Sequence, residues 1–210
     1  MPAAAAQPNG LVVGDDGVAR CWWADSAPEL RAYHDTEWGF PVADEKRLFE
    51  KLSLEGFQAG LSWLTILRKR EAFRRAFDGF DYERVARFDE RDVERLLGDA
   101  AIVRNRAKIE AVINNARRAA ELAAQDESVA HLVWSFEPEA HQEGPERGTL
   151  PASSESSRAL ARELKRRGWR FVGPTTVYAF MQAMGLVNDH LSGCHARAGA
   201  RAAREAFARP

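Results

Sequence analysis

The chain has 210 residues, 45% hydrophobic and 29% charged, which suits one globular domain, or a domain with a lobe, long enough to bury a core. Thirty basic and 31 acidic side chains leave a formal net charge of −1, which argues against nonspecific polyanion binding as its main task but permits a local basic face. Apolar runs fall short of the ~18 residues of a membrane span, the opening MPAAAAQPNG lacks the parts of a signal peptide, and two distant cysteines fit a reduced, cytoplasmic setting.

Residues 1–19 are rich in Ala, Gly and Asp without periodicity and read as a mobile tail. A helix is expected from Asp44, with Leu48, Leu52, Glu55 and Ala59 on one face, and a second carries Leu64, Leu67, Phe73 and Phe77. A third starts near Asp89, carries Val93, Leu96 and Leu97, and stops at Gly98. The segment from Asn105 to Ala124 is strongly helix-forming, with Ile109, Val112, Ile113 and Ala116 as its stripe. Residues 137–152 are broken by Pro and Gly and read as a surface loop. Ser153 or Ser154 caps a further helix through Arg167, and a turn leads to a last helix over Thr175 to Met184. Strand alternation and internal repeats give no signal, so the expected class is all-α, with a domain over 20–196 and a C-terminal tail over 197–210.

Four groups of residues could carry chemistry. Glu55 lies on the apolar stripe of its helix, where a carboxylate is costly unless paired or presented with a cationic ligand. Gly56 and Gly60 allow close approach of a backbone or a flat ligand, and Trp63 offers an aromatic face; together they could hold a cationic aromatic ring. A core Glu paired with an Arg is the plainer alternative. The turn GWRFVGPTT joins two helices, and the N–H groups after Gly173 could bind a phosphate oxygen in the manner of a helix-hairpin-helix element, although many plain turns look alike. His190 and Cys194 are four apart, the spacing of one helical face, while Cys21 and His34 are too far apart to meet without folding; two thiols and two imidazoles would make a tetrahedral zinc site. His195 could compete as a ligand, whereas His131 and His141 read as surface residues. The basic clusters at 68–75, 104–108 and 165–170 read first as solvated faces balanced by acids.

Taken together, the stretches RCWW (20–23), YHDTEWGFP (33–41), LEGFQAGLSW (54–63), VWSF (133–136) and RFVGPTTVYAFMQAMGLVNDHLSGC (170–194) resemble the DNA-3-methyladenine glycosylase I family. The resemblance implies a helix-hairpin-helix DNA glycosylase fold with one structural zinc ion per chain on Cys21, His34, His190 and Cys194, joining the N- and C-terminal segments. It implies that Glu55 and Trp63 line the pocket for the methylated base, with Tyr33 and Trp38 beside them, and that the hairpin, through Gly168, Gly173 and Thr175, grips the DNA backbone. The sequence departs from some members at Leu30, where they carry a tyrosine. The implied reaction is hydrolysis of the N-glycosidic bond of 3-methyladenine in double-stranded DNA, after base flipping, by a monomer. Pro174 and Thr175, rather than lysine, follow the hairpin glycine, which implies a monofunctional enzyme without lyase activity. Asp189 is a candidate either for activating water or for orienting His190 on the metal. A noncatalytic damage-sensing DNA-binding module and a zinc-stapled interaction domain are the rival readings.

Overall fold

The computed structural model describes residues 10–139 and 144–210. His141 lies outside them, as do the first nine residues of the expected tail. Among the described residues the architecture is mostly helical, with ten α-helices and one two-stranded sheet. The chain forms two compact units. Met1–Val42, Glu137–Ala152 and Met181–Ala208 make the first; Ala43–Phe136, Ser153–Phe180 and Arg209–Pro210 make the second.

The first unit begins with a hairpin in which β1 (Leu11–Val13) pairs antiparallel with β2 (Ala19–Cys21), Leu11 opposite Cys21. This stretch is expected as tail from the sequence. Strands of three residues are too short to show a period-two signal, so the hairpin leaves no mark on composition or alternation. Helix α1 (Pro28–Thr36) starts on a proline, whose missing N–H costs nothing at that position, and buries Leu30, Tyr33 and His34. Helix α10 (His195–Ala206) fills most of the expected C-terminal tail and buries only Ala196 and Ala200 on its inner face. Such small side chains give a weak apolar stripe, which is why the helix is illegible. Leu11, Cys21, Leu191, Cys194 and Ala196 form one core cluster, with Trp22 and Trp23 packed against it.

In the second unit α2 (Glu45–Gln58) is buried over most of its circumference, including Leu48, Phe49, Leu52, Leu54 and Phe57. Around it lie α3 (Trp63–Ala76), α4 (Tyr82–Val85), α5 (Glu90–Gly98), α6 (Arg106–Ala123), α7 (Val129–Trp134), α8 (Glu155–Arg166) and α9 (Pro174–Ala183), the last belonging to this unit as far as Phe180. The expected starts match because the capping chemistry is written in the sequence. Asp44, Asp89, Asn105 and Ser154 each accept a hydrogen bond from a first-turn backbone N–H, as does Ser62 before α3, for which no start was expected. Helix α7, which periodicity does not reveal, is capped by Ser128 and receives the Glu45 carboxylate on the N–H groups of Val129 and Ala130 at 3.0 and 2.8 Å. A chain of rings fills the core: Phe57–Phe73 at 4.6 Å, Phe77–Phe80 at 5.5 Å and Phe49–Phe80 at 6.3 Å between centroids. In α3 the fully buried aliphatic position is Ile66, while the expected Leu64 and Leu67 are half-buried.

Candidate functional site

Folding of the first unit brings Cys21 from β2, His34 from α1, and His190 and Cys194 from the segment before α10 into one buried group, with a ligand atom from each within 4.8 Å of the others. Cys194 Sγ lies 3.4 Å from His34 Nε2 and 3.6 Å from His190 Nδ1, and the two nitrogens are 3.2 Å apart. His190 and Cys194 do not share a helical face, as their spacing leads one to expect. They flank a turn closed by Cys194 N–H donating to the Leu191 carbonyl, and Cys194 is the N-cap of α10.

The second nitrogen of each imidazole is engaged by a group that only accepts. His34 Nδ1 donates to Asp35 Oδ1 at 2.8 Å and His190 Nε2 to the Trp38 carbonyl at 2.9 Å. In the neutral rings both inward nitrogens therefore carry lone pairs, a geometry suited to a cation and poor for anything else. Gly39 makes the approach to Trp38 possible: it sits at φ +86, and a Cβ there would come within 2.9 Å of His190 Nε2. The hydrogen bond shared by the two sulfurs pulls Cys194 well below the usual thiol range and, with burial and the neighbouring charge, pushes Cys21 up. Two thiols and two imidazoles gathered in this way could hold a metal ion.

Asp35 ties the group together. Burial opposes its charge, but hydrogen bonds from Arg20, His34 and His195 outweigh it and hold the carboxyl well below the ordinary range. Arg20 Nε meets both carboxylate oxygens at 3.0 Å. Asp35 and the Trp38 carbonyl thus hold the two imidazole rings in place, while buried Asp189, the candidate neighbour of His190, accepts from Gln182 at 2.8 Å. His195 does not join the four; it is a surface-facing partner of Asp35 at 2.8 Å.

In the second unit Glu55 is buried, as its place on the stripe requires, and its partner is Lys51, not an arginine. Lys51 Nζ is 2.8 Å from Glu55 Oε1, one helical turn away, and 3.3 Å from the centroid of the Trp63 indole. A carboxylate and an aromatic face here clamp an ammonium between them. The turn that sets Trp63 against α2 is held from below: buried Lys108 donates to the carbonyls of Phe57 and Ala59 at 3.0 and 2.6 Å, and Gly60 takes φ +81. Desolvation lowers the Lys108 pKa. A cleft of about 220 Å³ opens at Glu55, bounded by Gln58, Gly60 and Leu61 on one side and by Thr175 and Thr176 of α9 on the other. Ala59, expected on the buried stripe, is exposed at this rim.

The turn between α8 and α9 places Gly168 after the last turn of α8 and Gly173 directly before Pro174, with Thr175 exposed in the first turn of α9. Asn115 of α6 pins it: its Oδ1 accepts from Arg170 N–H at 2.8 Å and its Nδ2 donates to the Arg170 carbonyl at 2.9 Å. Asn114 Nδ2 adds a bond to the Gly168 carbonyl at 2.8 Å. At the tip Phe171 is 41% exposed and sits at φ 55, an uncommon backbone state for a bulky residue. Gly56 lets this tip approach α2, since a Cβ there would already touch Phe171 Cβ at 3.4 Å. Of the basic clusters, Arg74, Arg106, Arg166 and Arg167 are each held by carboxylates, as solvated faces would be.

The family model of methyladenine glycosylases matches residues 23–198. The chain belongs to that family. It is 49% identical to DNA-3-methyladenine glycosylase 1 of Escherichia coli over 84% of this chain and 96% of that protein. A crystal structure of a 3-methyladenine DNA glycosylase I superposes with a TM-score of 0.81 at 49% identity, covering 84% of this chain and 98% of the other. A Staphylococcus aureus 3-methyladenine DNA glycosylase I, solved to show how 3-methyladenine is recognised, matches with a TM-score of 0.80 at 35% identity, covering 85% and 96%.

Tyr33 and Trp38 lie in the first unit and are buried near the Cys21, His34, His190 and Cys194 group. Trp38 packs at 4.7 Å on His190, and Trp23 contacts Tyr33 and Trp38 at 6.3 and 5.2 Å. Leu30 is buried in the same unit. The sequence reading misses three residues that shape the sites. Lys51 carries a signal, four residues before Glu55 on the same helix. Asp35 lies beside a candidate ligand. Asn115 has no signal, because its partner is 55 residues away. Among the described residues no helix is long and apolar enough to cross a membrane.

Proposed function

We propose that this chain removes 3-methyladenine from alkylated double-stranded DNA by hydrolysing the N-glycosidic bond, with Glu55 and Trp63 as the receptor for the flipped base. The observation that carries the reading is that Glu55, which borders the cleft, and Trp63 together hold a cation against a π face. Adenine methylated at N3 in a nucleotide carries a positive charge, whereas an unmodified purine does not. Glu55 would accept hydrogen bonds from the edge of the base and complement its charge, and Trp63 would stack on it.

The charge also weakens the bond to be broken. The C1′–N9 bond cleaves with its electron pair going to the base, which leaves neutral; water adds at C1′ and its proton is lost to solvent. The protein need not protonate the leaving group, so recognition of the flipped base and positioning of water are its main contributions. Flipping costs a few kcal/mol, roughly, and least for a damaged base. The hairpin around Gly168, Gly173 and Thr175, braced by Asn115, is proposed to hold the DNA backbone through N–H groups at the start of α9.

The metal is proposed to be one structural zinc ion. Two nitrogens and a sulfur spaced at 3.2, 3.4 and 3.6 Å match the edges of a tetrahedron with usual zinc bond lengths, about 3.3 Å for N–N and 3.6 Å for S–N. With Cys21, His34, His190 and Cys194 all as ligands the site is closed, so zinc would supply stability and no activated water. Pro174 and Thr175 stand where an amine nucleophile would be needed for strand cleavage, so no lyase step follows. The test is release of free 3-methyladenine from alkylated duplex DNA by metal-loaded protein, with borohydride trapping alongside. Free base without a trapped adduct is expected; folded protein that binds the DNA yet releases no base would make it a noncatalytic module.

A further inference from the structure

We infer that Lys51 is a resident cation in the base site, a specificity-determining residue that competes with the ligand for Glu55 and Trp63; this rests on the proposed reading of those two residues as the base receptor. Its ammonium already makes both contacts assigned to the charged base, 2.8 Å to the carboxylate and 3.3 Å to the indole centroid. The three groups cannot all keep these positions once a ring occupies the space between carboxylate and indole. Glu55 lies in the last turn of the buried helix α2 and Trp63 opens α3, so both are fixed by backbone packing. The lysine, on a flexible four-carbon stem, is the part that can move.

The exchange selects by charge. With Glu55 only 5% exposed, displacing the ammonium leaves a buried carboxylate that is costly unless the entering ligand replaces the charge. A cationic purine does so, charge for charge and π contact for π contact. A neutral purine does not. In the free protein Lys51 pairs with Glu55, so the site is preformed for a cation and closed to neutral bases, at the cost of some affinity for the correct one.

The experiment measures binding of the 3,9-dimethyladeninium ion, a permanent mimic of the charged base, and of neutral 9-methyladenine, to the metal-loaded wild type, Lys51→Met, Glu55→Gln and the double variant. Lys51→Met is expected to bind the cation about tenfold more tightly, and the gain should vanish in the double variant, because competition operates through Glu55. Melting temperature and metal content establish folding, and Lys51→Gln replaces Lys51→Met if the latter does not fold. Unchanged or weaker cation binding by folded Lys51→Met, with Glu55→Gln weakened, overturns the role of Lys51 and leaves the base site standing. Unchanged binding by Glu55→Gln removes the base-site reading and this proposal with it.

Discussion

His34 Nε2 and His190 Nδ1 face each other across 3.2 Å, although they come from residues 156 apart in sequence, and each ring donates its other nitrogen's hydrogen outward. Two imidazole lone pairs held this close repel unless a cation lies between them. With Cys21 and Cys194 completing the set, elemental analysis of purified protein should find about one zinc per chain. Cys194→Ala should lose the metal and on the order of several kcal/mol of stability, while retaining affinity for the base analogue. A metal-free variant of equal melting temperature would show that the four residues are mere packing.

Asp35 joins Arg20, His34 and His195, so its removal should act on the metal through His34. Asp35→Asn is expected to release zinc to a chelator about ten- to a hundredfold more readily. A variant that holds zinc as tightly as the wild type would leave His34 oriented by packing alone.

Asn115 contributes two reciprocal bonds to the backbone of Arg170 at the hairpin. Asn115→Ala should cost about 2 kcal/mol and weaken binding to duplex DNA, with affinity for the small base analogue unchanged. Calorimetry and a salt-dependent DNA titration check both. Undiminished DNA binding would detach the hairpin from the phosphate backbone.

Glu163 is held down to about 2 by hydrogen bonds from Arg166 and Arg167 at the end of α8. A depressed folded pKa means its stabilisation is full above the unfolded carboxyl value and is lost as pH falls from about 4.3 toward 2. Arg166 is exposed, so the effect is screened and worth less than about 1 kcal/mol. Stability curves of the wild type and Glu163→Gln should diverge above that window and converge at its acid end; parallel curves throughout would remove Glu163 from the acid response.

Helix starts were legible because their caps are local: Asp44, Asn105 and Ser154 announce α2, α6 and α8 within three residues. The β1–β2 hairpin and α10 were not, since three-residue strands and an alanine stripe carry almost no pattern. Glu55 was visible as a charge on an apolar face, and Lys51 was equally visible four residues earlier but invites reading as surface charge. The four candidate metal ligands could be listed from residue type and resemblance, while their arrangement, with Cys194 capping α10 after a turn, depends on backbone geometry that spacing does not encode.

The proposed division between a metal that holds the first unit and a Glu55–Trp63 receptor that handles the base is tested most directly by single-turnover release of 3-methyladenine from alkylated duplex DNA, comparing zinc-loaded wild type with Glu55→Gln. The wild type should release the base, and the variant, equal in zinc content and melting temperature, should be slower by about two orders of magnitude. A folded, zinc-loaded Glu55→Gln that releases the base at the wild-type rate would contradict the assignment.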